Sequence, residues 1–374
     1  MNKKIIFLVT EDWYFLSHRL ALALACKKKG YDVHIACKDT GKIAEIKKYG
    51  FKCYNLKLYR GYISIFMIIK NILEIKRVIK ITNASILHAV SIQSIVLGLF
   101  AIFFNNKIKF VAAVTGLGSL FLVKNIKIKI IKFFLTIFLV VSLKKKNIKV
   151  IVQNKDDANF VNKSLLCSIH KIFLIRGSGI DINFHKVQLE PSYPPIIISY
   201  VGRLIQDKGI ENLIKAFNLV YKANKDIKLL LVGSLDNNNI RPISKKYIED
   251  IKQNKNNIEY IGEVKDIREI WKISHIAILP SRREGLPKSL LEAAAAGRAI
   301  ISTDVPGSRE IALNSINAEI VMLDDIDAMA KAILYLAENH KVRKSYGLKS
   351  RELVESDMSE DLVIRNTLSL YQNF

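Results

Sequence analysis

Two acids and two bases in the second half of the chain have the types and spacing to do chemistry together. Glu284 lies in the loop Ser281-Arg-Arg-Glu-Gly-Leu-Pro287, and Glu292 lies two turns into the alanine-rich stretch that starts after Pro287 and stops at Gly297. One acid can hydrogen-bond one part of an extended ligand while the other holds a part some ångströms away. Upstream, Gly202-Arg-Leu-Ile-Gln-Asp-Lys-Gly209 follows the apolar run Ile196 to Val201. A glycine after a strand, with Arg203 and Lys208 flanking the start of the next helix, offers a diphosphate two fixed cations and the positive end of a helix.

These residues need a scaffold that brings loops to one edge. The run Ile276 to Leu279 reads as a strand, followed by the Glu284 loop, the helix containing Glu292, and a further strand at Ala299 to Ser302. The same alternation runs through the whole chain. Strands are predicted at 3–9, 31–37, 51–58, 85–90, 109–114, 149–153, 172–175, 196–201, 228–232, 258–261, 275–279, 299–302 and 319–322, and helices among others at 20–29, 63–79, 95–104, 326–338 and 360–371. Alternation on this scale predicts an α/β protein with parallel sheets covered on both faces. In such sheets ligands sit at the carboxyl ends of the strands, where helix N-termini also point. Asn183 to Pro195, with three prolines, reads as a linker between two domains.

In the first half, Thr10 to Arg19 is predicted as a loop carrying Ser17, His18 and Arg19. The strand ending at Val114 runs into Thr115-Gly-Leu-Gly-Ser119, whose Gly116 and Gly118 let backbone approach a ligand. His18 faces the presumed binding cleft; His88, inside an apolar run, reads as a buried structural histidine. No metal site is predicted. The acidic run Asp324-Asp-Ile-Asp327 reads as a helix start, and the four cysteines show neither metal spacing nor a disulfide framework.

The net charge of +24 is unevenly placed. Through Glu190 there are 32 Lys and Arg against 10 Asp and Glu, or +22; the remainder has 26 against 24, or +2. Between Glu74 and Asp156 there is no acid at all. Within this basic half, Ser119 to Leu143 interleaves Lys124, Lys127, Lys129 and Lys132 with isoleucine, leucine and phenylalanine. A cationic segment this apolar suits an anionic membrane interface better than a nucleic acid, and no nucleic-acid-binding motif is present. A core helix whose lysines reach out to water is the competing reading. No uncharged apolar run is long enough to span a bilayer and no signal peptide is apparent, which leads to the expectation of a cytoplasmic protein.

The spacing Glu-x7-Glu, with Gly285-Leu-Pro287 after the first acid and Ala293, Ala295, Gly297, Gly307 and Glu310 following in order, resembles the donor-site signature of retaining family-four glycosyltransferases of the GT-B fold. Ala299 stands where that family usually has proline, and Thr115 where many relatives carry a histidine. Thr115 to Gly118 and Ser17 to Arg19 are similar to the branch that extends polyprenyl-diphosphate-linked sugars in bacterial surface polysaccharide or glycan assembly, as is Gly177-Ser-Gly-Ile-Asp181. The resemblance covers the whole chain, most closely residues 199–310.

What the resemblance implies is an α/β GT-B protein whose two Rossmann-like domains face each other across a cleft. Residues 1–185 would bind the acceptor, 186–358 the nucleotide sugar, and 359–374 would form a last helix that can cross back to the first domain. It implies Arg203 and Lys208 on the diphosphate, Glu292 on the ribose hydroxyls, and Glu284 with the amides of Gly285, Leu286, Pro287 and Lys288 around the sugar. Because proline has no amide hydrogen, Pro287 contributes only backbone shape. Gly202, Thr115 and Gly116 complete the donor side, and Ser17, His18 and Arg19 line the acceptor side. The donor would be a UDP-sugar, best an N-acetylhexosamine; it is a substrate, so no cofactor is implied. The acceptor would be a polyprenyl-diphosphate-linked saccharide, reached by an enzyme peripheral to the inner face of the cytoplasmic membrane. Front-face attack is the expected route to retention, with Glu284 as nucleophile the competing one. A GT-B enzyme acting on a soluble acceptor and a non-catalytic nucleotide-sugar-binding protein remain the alternatives.

Overall fold

A computed structural model describes residues 3–58, 65–116, 126–236, 241–253 and 256–374. The chain divides into two compact units, one formed by Met1–Ser178 with Glu360–Phe374, the other by Gly179–Ser359. The first unit runs β1 (Lys4–Glu11), α1 (Asp12–His18), α2 (Leu20–Lys28), β2 (Asp32–Lys38), α3 (Ile43–Lys48), β3 (Lys52–Asn55), α4 (Ile65–Thr82), β4 (Ile86–Val90) and α5 (Ile92–Ile102). It continues with β5 (Lys109–Ala113), α6 (Ile126–Leu143), β6 (Ile148–Val152), α7 (Lys155–Lys163) and β7 (Ile172–Leu174). The second unit holds β8 (Ile196–Val201), α8 (Ile210–Ala223), β9 (Ile227–Val232), α9 (Lys245–Gln253), β10 (Ile258–Gly262), α10 (Ile267–Ile273) and β11 (Ile276–Leu279). It ends with α11 (Lys288–Ala295), β12 (Ala299–Thr303), α12 (Pro306–Arg309), β13 (Ala318–Val321), α13 (Ile326–Glu338) and α14 (His340–Asp357); α15 (Glu360–Gln372) returns to the first unit.

Both sheets are parallel. Their orders are β3-β2-β1-β4-β5-β6-β7 and β10-β9-β8-β11-β12-β13, so each reverses direction beside its own first strand, β1 or β8. That reversal leaves a crevice at the carboxyl ends of the two strands flanking it. Strand β1 shows why both faces must be covered: Ile6 and Leu8 pack into one apolar cluster, Ile5, Phe7 and Val9 into another. The first cluster is roofed by α4, α5, α6 and α7, the second by α1, α2, α3 and α15. From α15 come Val363, Leu368, Leu370 and Tyr371.

The segment Thr10–Arg19, expected to be a loop, contains the helix α1. Asp12 begins it, fully buried, and its carboxylate accepts from the backbone amides of Trp13, Thr40 and Lys42 at 2.7, 2.8 and 2.8 Å. Burial alone would raise its pKa, but these hydrogen bonds and that of the Thr40 hydroxyl outweigh it and hold the carboxyl below its ordinary value. Thr40 and Lys42 lie about thirty residues away, beyond any local pattern. At the far end of α6, Lys171 Nζ donates to the carbonyls of Leu143, Lys144 and Lys145 at 3.0, 2.8 and 2.8 Å, supplying the cation and donors a helix C-terminus lacks.

Candidate active site

In the second unit the crevice lies between β8 and β11, and three glycines let the loops close on it. Beyond β8, Gly202 N donates to Val232 O at 2.9 Å, and Gly233 takes φ +137° with its backbone so near that a Cβ would stand 2.0 Å from Gly202 O. After a turn of 3-10 helix at Gln206–Lys208, Gly209 caps α8 with φ +71°, where a Cβ would meet Pro280 O at 2.1 Å. A Cβ on Gly307 would meet Gly285 O at 2.4 Å, and its amide donates to Glu284 O at 3.2 Å. Side chains do not fit in these gaps, so glycine is required by contact at all three positions and by backbone angle as well at Gly209 and Gly233. Ser302 Oγ at the end of β12 holds Leu279 O at 3.0 Å, and Thr303 holds Ser281 O.

The loops bring Lys208 and Glu284 into a salt bridge, Nζ to Oε1 2.5 Å, with the side chains 19% and 10% exposed. Glu292, in the second turn of α11, is 9% exposed. Burial pushes its carboxyl up to about 7, against the pull of the Lys288 ammonium, whose Nζ is 3.9 Å away. Gly285, Leu286 and Pro287 lead into α11, with Pro287 as its N-cap residue. Gly202, Lys208, Glu284, Gly285, Lys288 and Glu292 thus occupy the carboxyl edge of neighbouring strands β8 and β11. Arg203 stands apart from the Lys208–Glu284 pair: it is exposed and reaches Asp236, Nη1 to Oδ2 2.7 Å. Its carbonyl accepts from the buried Tyr200 hydroxyl at 2.8 Å.

In the first unit, Ser17, His18 and Arg19 close α1 at the carboxyl end of β1. Ser17 Oγ meets His18 Nδ1 at 2.6 Å, and the His18 ring stacks on Tyr14 with centroids 4.3 Å apart. Arg19 is buried; Nη1 donates to His18 O at 2.9 Å and to Gly177 O at 3.4 Å, and its Nε lacks a partner. Thr115 and Gly116 follow β5 half-buried, Gly116 at φ +128°. Leu117, Gly118, Ser119 and Lys124, and the side chains of Lys127 and Lys129, lie outside the described residues. His88 is enclosed by Phe7 and Tyr371, whose hydroxyl meets its Nδ1, and burial holds it well below the usual imidazole range. Asp325 caps α13 by accepting from Ala328 N at 2.8 Å. Among the described residues no group of three or more His, Cys, Asp or Glu could hold a metal ion.

Sequence reasoning missed the anions that partner the cations. Asp236 and Asp207 were not singled out, and Arg282 and Arg283 passed as loop residues, although Arg282 pairs with Asp324 and Arg283 with Asp207. The Asp-Lys and Arg-Glu adjacencies at 207–208 and 283–284 were the available signal.

Comparison with known proteins gives the family. Residues 4–154 match the family described as glycosyl transferase 4-like, and residues 181–353 the family described as glycosyl transferases group 1. The chain is 27% identical to the capsular polysaccharide biosynthesis glycosyltransferase CapM of Staphylococcus aureus, over 100% of this chain and 98% of that one. It is 24% identical to the N,N'-diacetylbacillosaminyl-diphospho-undecaprenol alpha-1,3-N-acetylgalactosaminyltransferase of Campylobacter jejuni, over 96% and 97%. Among solved structures, a glycosyltransferase from Rickettsia africae superimposes with TM-score 0.77 at 21% identity, over 100% and 99% of the two chains. Anabaena Alr3699/HepE in complex with UDP and glucose gives 0.75 at 14%, over 100% of both. The chain belongs to the glycosyltransferases of the GT-B fold, with a glycosyl transferase 4-like domain followed by a group 1 domain.

Proposed function

We propose that the chain is a retaining glycosyltransferase that moves a sugar, best an N-acetylhexosamine, from UDP to a polyprenyl-diphosphate-linked saccharide in bacterial envelope polysaccharide or glycan synthesis. The observation that carries the reading is the Lys208–Glu284 pair at the crevice of the second unit, with the buried Glu292 beside it on α11. Two similar proteins support the acceptor class by name, the Campylobacter jejuni enzyme and an Escherichia coli UDP-Gal:alpha-D-GlcNAc-diphosphoundecaprenol alpha-1,3-galactosyltransferase, 22% identical over 83% of this chain. The uridine nucleotide is supported by the latter name and by the UDP in the Anabaena complex.

In this mechanism Lys208 and Arg203 hold the donor diphosphate, for which Lys208 gives up part of its contact with Glu284 and Arg203 part of its contact with Asp236. As the bond from the sugar's anomeric carbon to the diphosphate oxygen breaks, negative charge grows on that oxygen, and fixed cations stabilise it more than they stabilise the bound donor. The acceptor hydroxyl attacks from the same face and passes its proton to the departing phosphate oxygen, which retains configuration without an enzyme nucleophile. Glu284 and the amides that open α11 hold sugar hydroxyls, and Glu292 accepts from the ribose. The family resemblance adds Thr115 and Gly116 to the donor contacts and Ser17, His18 and Arg19 to the acceptor contacts.

The first unit also supplies a surface for the lipid. On α4, Ile65, Phe66, Ile69 and Leu73 are exposed, and on α6 Ile131, Phe133, Phe134 and Ile137. Both helices roof the same face of the sheet, and Lys70, Lys76, Arg77, Lys144 and Lys146 stand exposed at or near them. Apolar side chains interspersed with cations suit an anionic bilayer surface, which supports the reading of an enzyme peripheral to the inner face of the cytoplasmic membrane. No described helix is long and apolar enough to cross one.

The test is transfer from a panel of UDP-sugars to a synthetic prenyl-diphosphate glycan, with the anomeric configuration of the product read by NMR. Glu284→Gln and Lys208→Ala should each lower turnover at least about a hundredfold while the chain still folds. Near-parental activity in both variants removes the site assignment. Equal transfer to a soluble glycan lacking the prenyl diphosphate removes the acceptor class.

A further inference from the structure

We infer that Asp207 is a positioning residue, the anchor that holds the Lys208 and Glu284 side chains in the register the reaction needs. The inference rests on the assignment of Lys208 and Glu284 to the donor site and adds a residue that assignment does not use.

Two segments meet at this point, 206–209 after β8 and 282–285 after β11, and they are joined three times over. Arg282 N donates to Asp207 O at 2.9 Å, the Arg283 guanidinium pairs with the Asp207 carboxylate through Nη2 and Oδ2, and Lys208 pairs with Glu284 at 2.5 Å. Arg241, from the loop after β9, approaches the other Asp207 oxygen at 3.6 Å. Asp207 therefore ties together loops that follow β8, β9 and β11. The charges run acid then base on one segment, base then acid on the other. Slipping one segment by a single residue would oppose Asp207 to Glu284 or Lys208 to Arg283, and like charges in contact disfavour both arrangements.

When a donor diphosphate arrives, Lys208 must share its ammonium and Glu284 its carboxylate with the ligand. Lysine is a point charge on a flexible stem, so the direction it points at that moment depends on the backbone beneath it. The Asp207–Arg283 pair and the Asp207 carbonyl remain engaged while the neighbouring pair exchanges partners. They keep the two segments at fixed separation through the transfer.

The experiment is a double-mutant cycle on the full chain, with turnover, donor KM and melting temperature measured for Asp207→Ala, Lys208→Ala and the double variant; Arg283→Met approaches the same pair from its other side. Asp207→Ala should lower kcat roughly ten- to hundredfold, as expected for a small misplacement of a reacting group, with donor KM changed far less. The double variant should lose less than the product of the two single losses, because part of the effect of Asp207 passes through Lys208. Losses that multiply in full, or parental kcat in both Asp207→Ala and Arg283→Met while Lys208→Ala is depleted, overturn the inference and leave the site assignment standing. Parental activity in Lys208→Ala and Glu284→Gln together removes the site assignment itself.

Discussion

Glu292→Gln tests the depth of the site and its proposed occupant together. The carboxyl is raised from an ordinary 4.5 to about 7 because α11 carries it into the interior, with one ammonium, 3.9 Å off, opposing the shift. Between these values the unfolded chain has Glu292 ionised while the folded chain keeps it protonated. The folded state thus binds the extra proton, and stability falls as pH rises through this window. Above pH 7 the penalty is complete, at most roughly 3 kcal/mol when each tenfold change counts about 1.4 kcal/mol. Glutamine carries no charge at any pH, so the variant should melt with the parent near pH 4.5 and above it at pH 8. For a unit of this size the gap at pH 8 should reach no more than roughly 6–12 °C. Ligand binding should move the other way. Ribose hydroxyls donating to Glu292 favour its ionised form, so UDP binding at pH 6 should release a proton, and affinity should rise with pH and level off above about 7. Titration calorimetry in two buffers of different ionisation heat reads the protons released. The terminal phosphate of UDP, with a second pKa of about 6, gives up its own, so the share from Glu292 is the difference between the parent and Glu292→Gln. A variant no more stable than the parent at pH 8, or equal proton release by parent and variant at pH 6, would refute the reasoning.

Three further outcomes follow from particular contacts. Gly307→Ala places a methyl group 2.4 Å from Gly285 O; it should cost about 1–3 kcal/mol in denaturant unfolding and weaken UDP binding by shifting the Glu284 segment, and an unaltered midpoint would mean the turn has room to move. Tyr371→Phe removes the hydroxyl that meets His88 Nδ1 in a pocket where Nε2 already lacks a partner, so thermal melting should show a loss of about 1–3 kcal/mol. Replacing Phe66, Phe133 and Phe134 with serine should weaken sedimentation with phosphatidylglycerol vesicles roughly tenfold or more; unchanged sedimentation would remove α4 and α6 as the lipid-facing surface.

The architecture was legible because parallel strands buried on both faces write themselves as uninterrupted apolar runs. β8 at Ile196–Val201 and α13 at Ile326–Glu338 fall where the pattern puts them, and the other compared elements differ at their ends by a few residues. α1 was not legible, since the anchor that starts it is Asp12 meeting backbone from Thr40 and Lys42. Within the site, Glu284, Glu292 and Lys208 could be picked out as candidates through the ordered Glu-x7-Glu, glycine and alanine pattern that resembles the family signature, since each such residue alone is ordinary loop or surface material. The ionisation of Glu292 could not, because it depends on how deeply α11 is packed. Nor could the Asp236 partner of Arg203 or the Asp207 partner of Arg283, which are set by loops from different strands meeting at one edge.

The return of α15 to the unit where the chain began has a bearing on synthesis at the ribosome. The strands and helices between Ile180 and Ser359 form one contiguous stretch that closes around its own core, with Ile180 N held by Met358 O at 3.0 Å, and take nothing from the last helix. The earlier-made lobe must meanwhile wait with Phe7, Val33 and His88 uncovered until Val363, Leu368 and Tyr371 arrive. The second unit thus needs only its own stretch of chain to be complete, whereas a chain cut after Ser359 should leave the first unit open to proteases.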